Sequence, residues 1–156
     1  MKKIILYLLG AIISITILAL GYYAISPLFI NIILDEALPE TKQMESKVME
    51  KSQVQVVLAP VIGTSGHSAS GTVRVIEVDG KSYIRYENFK TINGPDLYIY
   101  LAKDLEAKEY VNLGLLRATE GNINYEIPTD VNLQDYKYVM VWCKRFGVLF
   151  NYAEIK

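Results

Sequence analysis

The chain opens with a long apolar stretch in which no charged residue occurs from Ile4 to Leu34. A helix crosses the roughly 30 Å hydrocarbon core of a membrane in about 20 residues. The pattern therefore predicts a transmembrane helix over residues 4–24. We interpret it as an uncleaved anchor, because the stretch exceeds the apolar core of about 7–15 residues that is typical of signal peptides. A long cleaved signal peptide is the alternative.

Two segments are predicted between this helix and the rest of the chain. Ser26 followed by Pro27 has the residue types of a helix start, with serine as the N-cap and proline at the first helical position. Residues 27–34 are therefore predicted as a short second segment, at the outer membrane interface or packed on the domain. Residues 35–53 are polar and charged, and we interpret them as a partly helical stalk.

The charges around the apolar stretch predict its orientation. Lys2 and Lys3 precede it, and basic flanks tend to stay in the cytoplasm. We therefore expect a single-pass protein of the cell membrane, with a cytoplasmic N-terminus and an extracytoplasmic C-terminal domain.

Short runs with a period of two fill residues 54–156. Thr72–Val78 and Ser82–Phe89 both alternate, and Asp79-Gly80 between them is a typical hairpin turn. Turns are also predicted at residues 93–96 and 120–122. Further strands are predicted at 54–58, 97–101, 113–118, 125–127, 138–143 and 147–152. The predicted fold class is all-β: a single β-sandwich or barrel-like domain of short antiparallel strands, preceded by a transmembrane helix.

The stretch Tyr138–Cys143 is apolar at nearly every position. Alternation puts Val139, Val141 and Cys143 on one face of a strand and Tyr138, Met140 and Trp142 on the other. A strand that is apolar on both faces is typical of the middle of a sheet, so we expect this strand to be central.

The composition narrows the classes of function. With 16 basic and 17 acidic residues the net charge is -1, so no nucleic-acid partner is expected. The single cysteine excludes an internal disulfide framework and any multi-cysteine metal site within one chain, and no metal site is predicted. Nothing in the sequence decides whether the protein is an enzyme.

Two residues are candidates for chemistry. Cys143 would be unusual as a free thiol outside the cytoplasm, where thiols tend to be oxidised. His67, the only histidine, lies in a loop of glycine, serine and alanine, where it would serve as a cofactor ligand or proton carrier. The alternatives are ordinary: Cys143 as a small apolar core residue and His67 as a surface histidine.

Six short motifs occur together in the order in which one known family has them. They are Gly66-His-Ser-Ala-Ser-Gly71, Tyr86-Glu-Asn-Phe89, Asn93-Gly-Pro-Asp-Leu97, Leu113-Gly-Leu-Leu116, Gly121-Asn-Ile-Asn-Tyr125 and Trp142-Cys-Lys-Arg-Phe146. With these motifs the chain resembles the DM-thirteen domain family, a module labelled electron-transfer, over roughly residues 59–156.

The resemblance implies a β-rich extracytoplasmic domain with a redox or electron-transfer role. The family's signature cysteine falls at Cys143, which would act as a redox thiol or as a ligand to haem or a metal, and His67 falls in its glycine-flanked loop. The resemblance does not decide whether a cofactor is bound. Haem is one cofactor that Cys143 and His67 would allow. The expected partners are the membrane, through the N-terminal helix, and a separate redox partner or surface protein. The competing hypothesis is a non-enzymatic interaction or structural domain in which Cys143 only packs.

Overall fold

The structure, a computed structural model, describes residues 2–26, 30–39 and 58–156. The sequence predicts a division into an anchor (1–34), a stalk (35–53) and a β-domain (54–156). Its first boundary lies within the described residues, and its second lies outside them. The serine-capped helix start at Ser26-Pro27, most of the stalk and the strand predicted at 54–58 fall partly or wholly outside them.

Helix α1, Lys2–Ile25, is the only α-helix in the described part of the chain. Its apolar side chains are exposed along its whole length. Residues 3–23 are long and apolar enough to cross a membrane, a test that a signal peptide also passes. At about 1.5 Å per residue its 24 residues extend about 36 Å, which exceeds the thickness of the hydrocarbon core.

The remaining described residues form two five-stranded sheets packed face to face, which confirms the predicted all-β class. The strands are β1 Ile33–Asp35, β2 Ala59–Pro60, β3 Ile62–Gly63, β4 Ala69–Val78, β5 Lys81–Thr91, β6 Leu97–Ala102, β7 Tyr110–Leu115, β8 Glu120–Ile127, β9 Tyr138–Cys143 and β10 Val148–Glu154. In sheet A the strand order is β1-β8-β5-β4-β2, and in sheet B it is β3-β10-β9-β6-β7.

Strand β9 is the middle strand of sheet B, as its apolar character on both faces predicted. Val139, Val141 and Cys143 point into the main core between the sheets, where each is fully buried. Met140 points to the outer face of the sheet, and the half-buried Tyr138 and Trp142 pack around it. The period of two along this stretch is therefore confirmed residue by residue.

The hairpin predicted at Asp79-Gly80 joins β4 to β5. Both turn residues have positive φ, at 52° and 72°, which is the requirement of a tight two-residue hairpin turn. The alternation of β5 holds as far as Tyr86 and then shifts, because Phe89 rather than Asn88 is buried. The register is irregular between Tyr86 and Phe89, and Asn88 has a φ of 47°.

The chain between α1 and β2 differs from the expected interfacial segment and stalk where it is described. Ile33–Asp35 form β1, which pairs in parallel with the start of β8. Both oxygens of Glu36 accept hydrogen bonds from the Arg117 guanidinium, at 2.7 and 2.9 Å. Arg85 donates to the carbonyl oxygens of Glu36 and Ala37. The sequence pattern could not show this, since the pairing is with a strand 87 residues away.

Gly121 explains why β1 can lie there. The sequence pattern treated Glu120-Gly121-Asn122 as a turn, but these residues begin strand β8. Gly121 has a φ of 117°, and a Cβ at this position would collide with the carbonyl oxygen of Leu34. A glycine within a strand often marks the close approach of another backbone, and here the approaching backbone is β1.

Candidate functional site

One end of the sandwich carries both residues that the sequence singled out. Cys143 ends β9 at this end, and the turn that holds His67 precedes β4 there. The loop between β5 and β6, residues 92–96, crosses the same end. We call it the membrane-proximal end after α1, the helix that is long and apolar enough to span a membrane, because β1 enters the domain here.

A cleft of about 650 Å³ opens at the membrane-proximal end. Its lining is mainly apolar and aromatic, with a few convergent polar side chains, which is a common composition for ligand sites. The end of α1 forms part of its wall. The lining residues are Tyr23, Ser26, His67, Asn93, Gly94, Pro95, Asp96, Arg145, Phe146, Val148 and Phe150.

Cys143 lies directly behind this cleft. Its side chain has no solvent-exposed area, and its Sγ donates a hydrogen bond to the carbonyl oxygen of Pro95 at 3.1 Å. Pro95 itself lines the cleft, so one residue separates the sulfur from the cavity. Cys143 is unpaired, as expected for the chain's only cysteine.

His67 lies in the cleft wall and is half-buried. Its ring stacks on Phe150, with centroids 4.0 Å apart, and its Nδ1 lies 3.1 Å from the Thr64 hydroxyl. The Thr64 hydroxyl also lies 2.7 Å from the carbonyl oxygen of Leu149 and 3.0 Å from that of Phe150, and neither carbonyl can donate. With the hydroxyl proton on either carbonyl, His67 Nδ1 is the donor to Thr64 and Nε2 is left as the acceptor. This assignment gives His67 one free nitrogen for a proton or ligand.

The loop that covers Cys143 is held by backbone and side-chain hydrogen bonds. Asn93 Nδ2 donates to the carbonyl oxygen of Ile30 at 2.9 Å, and the Lys144 amide donates to the carbonyl oxygen of Asp96 at 3.0 Å. Gly94 packs against the Phe150 ring, where a Cβ would come within 2.8 Å of the ring. Within the predicted turn at residues 93–96, the positive φ lies at Asp96, at 63°.

The described residues fit a thiol site better than a cofactor site. They contain no group of three or more histidine, cysteine or acidic residues that is arranged to hold a metal ion. A haem ligated by Cys143 does not fit this arrangement, because Pro95 separates the sulfur from the cleft in which the group would lie. His67 is the one imidazole among the described residues that line the cleft. We therefore assign no role to a haem.

Comparison with known proteins assigns the family. Residues 62–155 match the family model described as Electron transfer DM13. The chain belongs to this family. The DM13 match spans both sheets and includes His67, Pro95 and Cys143, and it confirms the resemblance carried by the short motifs. Neither the curated proteins nor the solved structures gave a match.

The outer face of sheet B is a second candidate site, which we call the aromatic face. Tyr100 stacks on Tyr110 with ring centroids 4.0 Å apart and lies 6.4 Å from Trp142. Burial, together with the neighbouring Tyr110 hydroxyl, raises the pKa of Tyr100 to about 12. Lys144 Nζ lies 5.4 Å from the centre of the Tyr98 ring, within range of a cation–π contact. The face is defined by Tyr98, Tyr100, Tyr110, Tyr138, Trp142 and Tyr152.

Sequence reasoning found Cys143 and His67 but missed the residues that define their surroundings. Pro95 and Phe150 are distant in sequence from the residues they touch, so only the sheet register brings them together. The signal for Phe150 was its place in a predicted strand next to β9. The signal for Pro95 was the Asn93-Gly-Pro-Asp96 turn, which was interpreted only as a turn.

Proposed function

We propose that the protein is a membrane-tethered, extracytoplasmic redox module in which Cys143 is the working thiol. Membership of the electron transfer DM13 family supports a redox role. The observation that carries the proposal is the position of Cys143 Sγ, 3.1 Å from the carbonyl oxygen of a residue that lines the cleft. The thiol is closed off at rest but lies one loop away from a cavity.

The reaction that suits one isolated thiol is exchange with a disulfide of a separate partner. The Cys143 sulfur, once deprotonated, attacks one sulfur of the partner, a new S–S bond forms, and the other partner sulfur leaves as a thiolate that takes up the proton. Cys143 is oxidised and the partner sulfur that leaves is reduced, so no further oxidant is needed. The compartment outside the cytoplasm supplies such disulfides.

The Asn93–Asp96 loop is the gate in this proposal. Attack on a partner requires the loop to move away from the sulfur. This movement breaks the hydrogen bond from Cys143 Sγ to the Pro95 carbonyl oxygen and loosens the hydrogen bond from Asn93 to the Ile30 carbonyl oxygen. His67, which also lines the cleft, has Nε2 available to accept the thiol proton once the gate is open. Arg145 lines the same cleft and would favour a thiolate as the loop opens, whereas Lys144 lies over Tyr98 on the opposite face of the sheet.

Thiol labelling tests the gate. We compare the rate at which a small disulfide reagent modifies Cys143 in the folded full-length chain with the rate expected from global unfolding. The proposal predicts faster labelling than unfolding allows, and a further increase in Asn93→Ala, which removes the bond to Ile30. Asn132→Ala is the matched control, since it removes the side-chain acceptor of the Gln134 amide in the loop between β8 and β9, at the other end of the sandwich. Labelling that only follows global unfolding in all three chains would contradict the gate.

The location is part of the proposal and has its own test. The two lysines before α1 support a cytoplasmic N-terminus, and α1 is long enough to span. A reporter that is active only outside the cytoplasm, fused after Lys156, should be active. Activity of a cytoplasm-specific reporter at the same position would reverse the topology.

The aromatic face supports a second candidate function, a non-enzymatic interaction domain. Tyr110 is 45% exposed and Trp142 is half-buried, and aromatic side chains with a polar edge are enriched in protein interfaces. In this case Cys143→Ala should lower stability and leave partner binding intact, whereas Tyr110→Ala should weaken binding. The redox proposal predicts instead that Cys143→Ala abolishes the mixed disulfide with the partner and that Tyr110→Ala leaves it unchanged.

A further inference from the structure

We propose that the membrane-proximal end docks on the bilayer surface, with the turn between β9 and β10 in the lipid headgroup region. The turn comprises Lys144–Gly147, and Phe146 at its tip is 67% exposed. The inference concerns how the domain sits, and it rests on the proposed function only for the retention of α1 as an anchor.

The chain topology brings this end to the membrane. Strand β1 runs parallel to β8 and pairs from Ile33 opposite Glu120, so the chain enters the sandwich at the end where β8 begins. The end of α1 is already there, because Tyr23 and Ser26 line the same cleft as Arg145 and Phe146. A domain attached in this way has its membrane-proximal end at the level of the helix terminus.

Exposed apolar side chains gather at this end. Beyond α1, ten large apolar side chains are exposed among the described residues, and six of them are here. Such side chains are costly in water but are stabilised at the boundary between headgroups and acyl chains. The six are Ile30, Ile32, Ile33, Leu115, Phe146 and Val148, and the other four are Leu38, Leu58, Ile62 and Tyr110.

Two cations flank the apolar tip. Lys144 and Arg145 are both exposed, and neither is in an ion pair with another described residue. Asp96 lines the same cleft as Arg145 but forms no ion pair with it, and Glu120 at this end is paired with Lys90. An exposed aromatic residue beside two unpaired cations matches a surface with an apolar interior and phosphate headgroups.

The test measures the depth of residue 146 in the bilayer. The full-length chain with Trp142→Phe and Phe146→Trp is placed in nanodiscs that contain anionic phosphatidylglycerol and phosphatidylcholine brominated on its acyl chains. Docking puts the new indole within about 5–10 Å of the headgroup boundary, so its fluorescence should fall about twofold or more. If the Trp142→Phe background does not fold, the difference between the wild-type chain and Phe146→Trp alone gives the same quantity.

The matched control is Tyr110→Trp in the same background. Tyr110 is also an exposed aromatic residue but pairs with Ala102, at the other end of β6. The six residues of β6 separate the two ends by about 17 Å, so this indole should be quenched little. Arg145→Glu should reduce the quenching at position 146 in anionic nanodiscs and leave it unchanged in zwitterionic ones.

The outcomes separate this inference from the proposed function. Equal quenching at both positions, or none at 146, in a chain that stays with the bilayer after alkaline extraction would overturn docking alone. Loss of the chain on extraction would overturn the anchor, and with it both the tethered module and its docking. The redox role of Cys143 is tested separately, by the labelling of its thiol and by its exchange with glutathione.

Discussion

Cys143 differs from its neighbours on the same face of β9 in having a polar side-chain contact, the hydrogen bond from its Sγ to the carbonyl oxygen of Pro95. Val139 and Val141, on the same face of β9, are equally buried and make only apolar contacts. The residue is therefore both a core residue and the attachment point of the loop above it. The core-residue hypothesis rests on the packing of Cys143, and the redox hypothesis rests on its contact with the loop. Both contributions must therefore be measured.

Cys143→Ala tests the structural part of this description. We expect it to lower the free energy of unfolding by about 1–3 kcal/mol, because a buried side chain and a hydrogen bond are lost together. Cys143→Ser keeps a donor and should restore the hold on the loop, although a buried hydroxyl adds its own cost. Val141→Ala is the control for loss of packing alone. Denaturant unfolding followed by Trp142 fluorescence measures all of them, and an unchanged stability in Cys143→Ala would show that neither contact matters.

Glu87 predicts a dependence of stability on pH. Burial alone would raise the pKa of its carboxyl, but hydrogen bonds and charges from Arg85 and Arg74 outweigh burial and hold the pKa below its usual value of 4.5. A lowered pKa stabilises the fold above about pH 4.5, and this contribution is lost as the pH falls through the folded-state value. The unfolding midpoint should therefore decline on acidification below that pH, and less steeply in Glu87→Gln. Parallel declines in the two chains would contradict the assignment.

At the scale of elements, the strand pattern was predictable and the pairing was not. The period of two fixed β4, β5, β6 and β9 closely, because each has one face in the core. It could not reveal β1, which is only three residues long and is exposed at both of its end residues, Ile33 and Asp35. It also mistook Gly121 for a turn residue, since the reason for that glycine is a backbone that arrives from a distant part of the chain.

Gly121→Ala tests the packing of β1 on β8. The matched control is Gly114→Ala. Gly114 has a φ of 112°, close to the 117° of Gly121, but no atom lies near the position that a Cβ would occupy. Gly114→Ala should cost about 1–3 kcal/mol through backbone strain alone. Gly121→Ala should cost more, since the Leu34 carbonyl must move and the hydrogen bonds of β1 weaken by about 1 kcal/mol each. Equal losses in unfolding free energy would mean that β1 adds nothing.

At the scale of the whole molecule, the anchor and the domain are joined more closely than composition indicated. The polar residues after position 34 were expected to be a stalk, but Asp35 and Glu36 belong to the outer part of sheet A. Cys143 and His67 could be predicted as candidates because each is the only residue of its type. The cleft beside them could not, because it is assembled from three separate loops, strand β10 and the end of α1.

The junction makes a prediction about soluble fragments. A chain that begins at Gln53 lacks β1 and leaves Arg85, which is 6% exposed, without two of its acceptors. We expect this fragment to be clearly less stable than one that begins at Ile30, because a buried cation that loses two of its hydrogen-bond acceptors is costly. Denaturant midpoints of the two fragments measure the difference. Equal midpoints would show that residues 30–39 are dispensable.

The central claim is that Cys143 is a redox thiol in the folded protein. It is tested most directly by equilibrating the full-length chain in nanodiscs with glutathione buffers of increasing oxidation and measuring the fraction of Cys143 in mixed disulfide by mass spectrometry. Trp142 fluorescence is recorded on the same samples as a measure of folding. The account predicts a reversible rise in mixed disulfide while the fluorescence stays native. A Cys143 that remains reduced until the fluorescence reports unfolding would contradict it and leave Cys143 as a core residue.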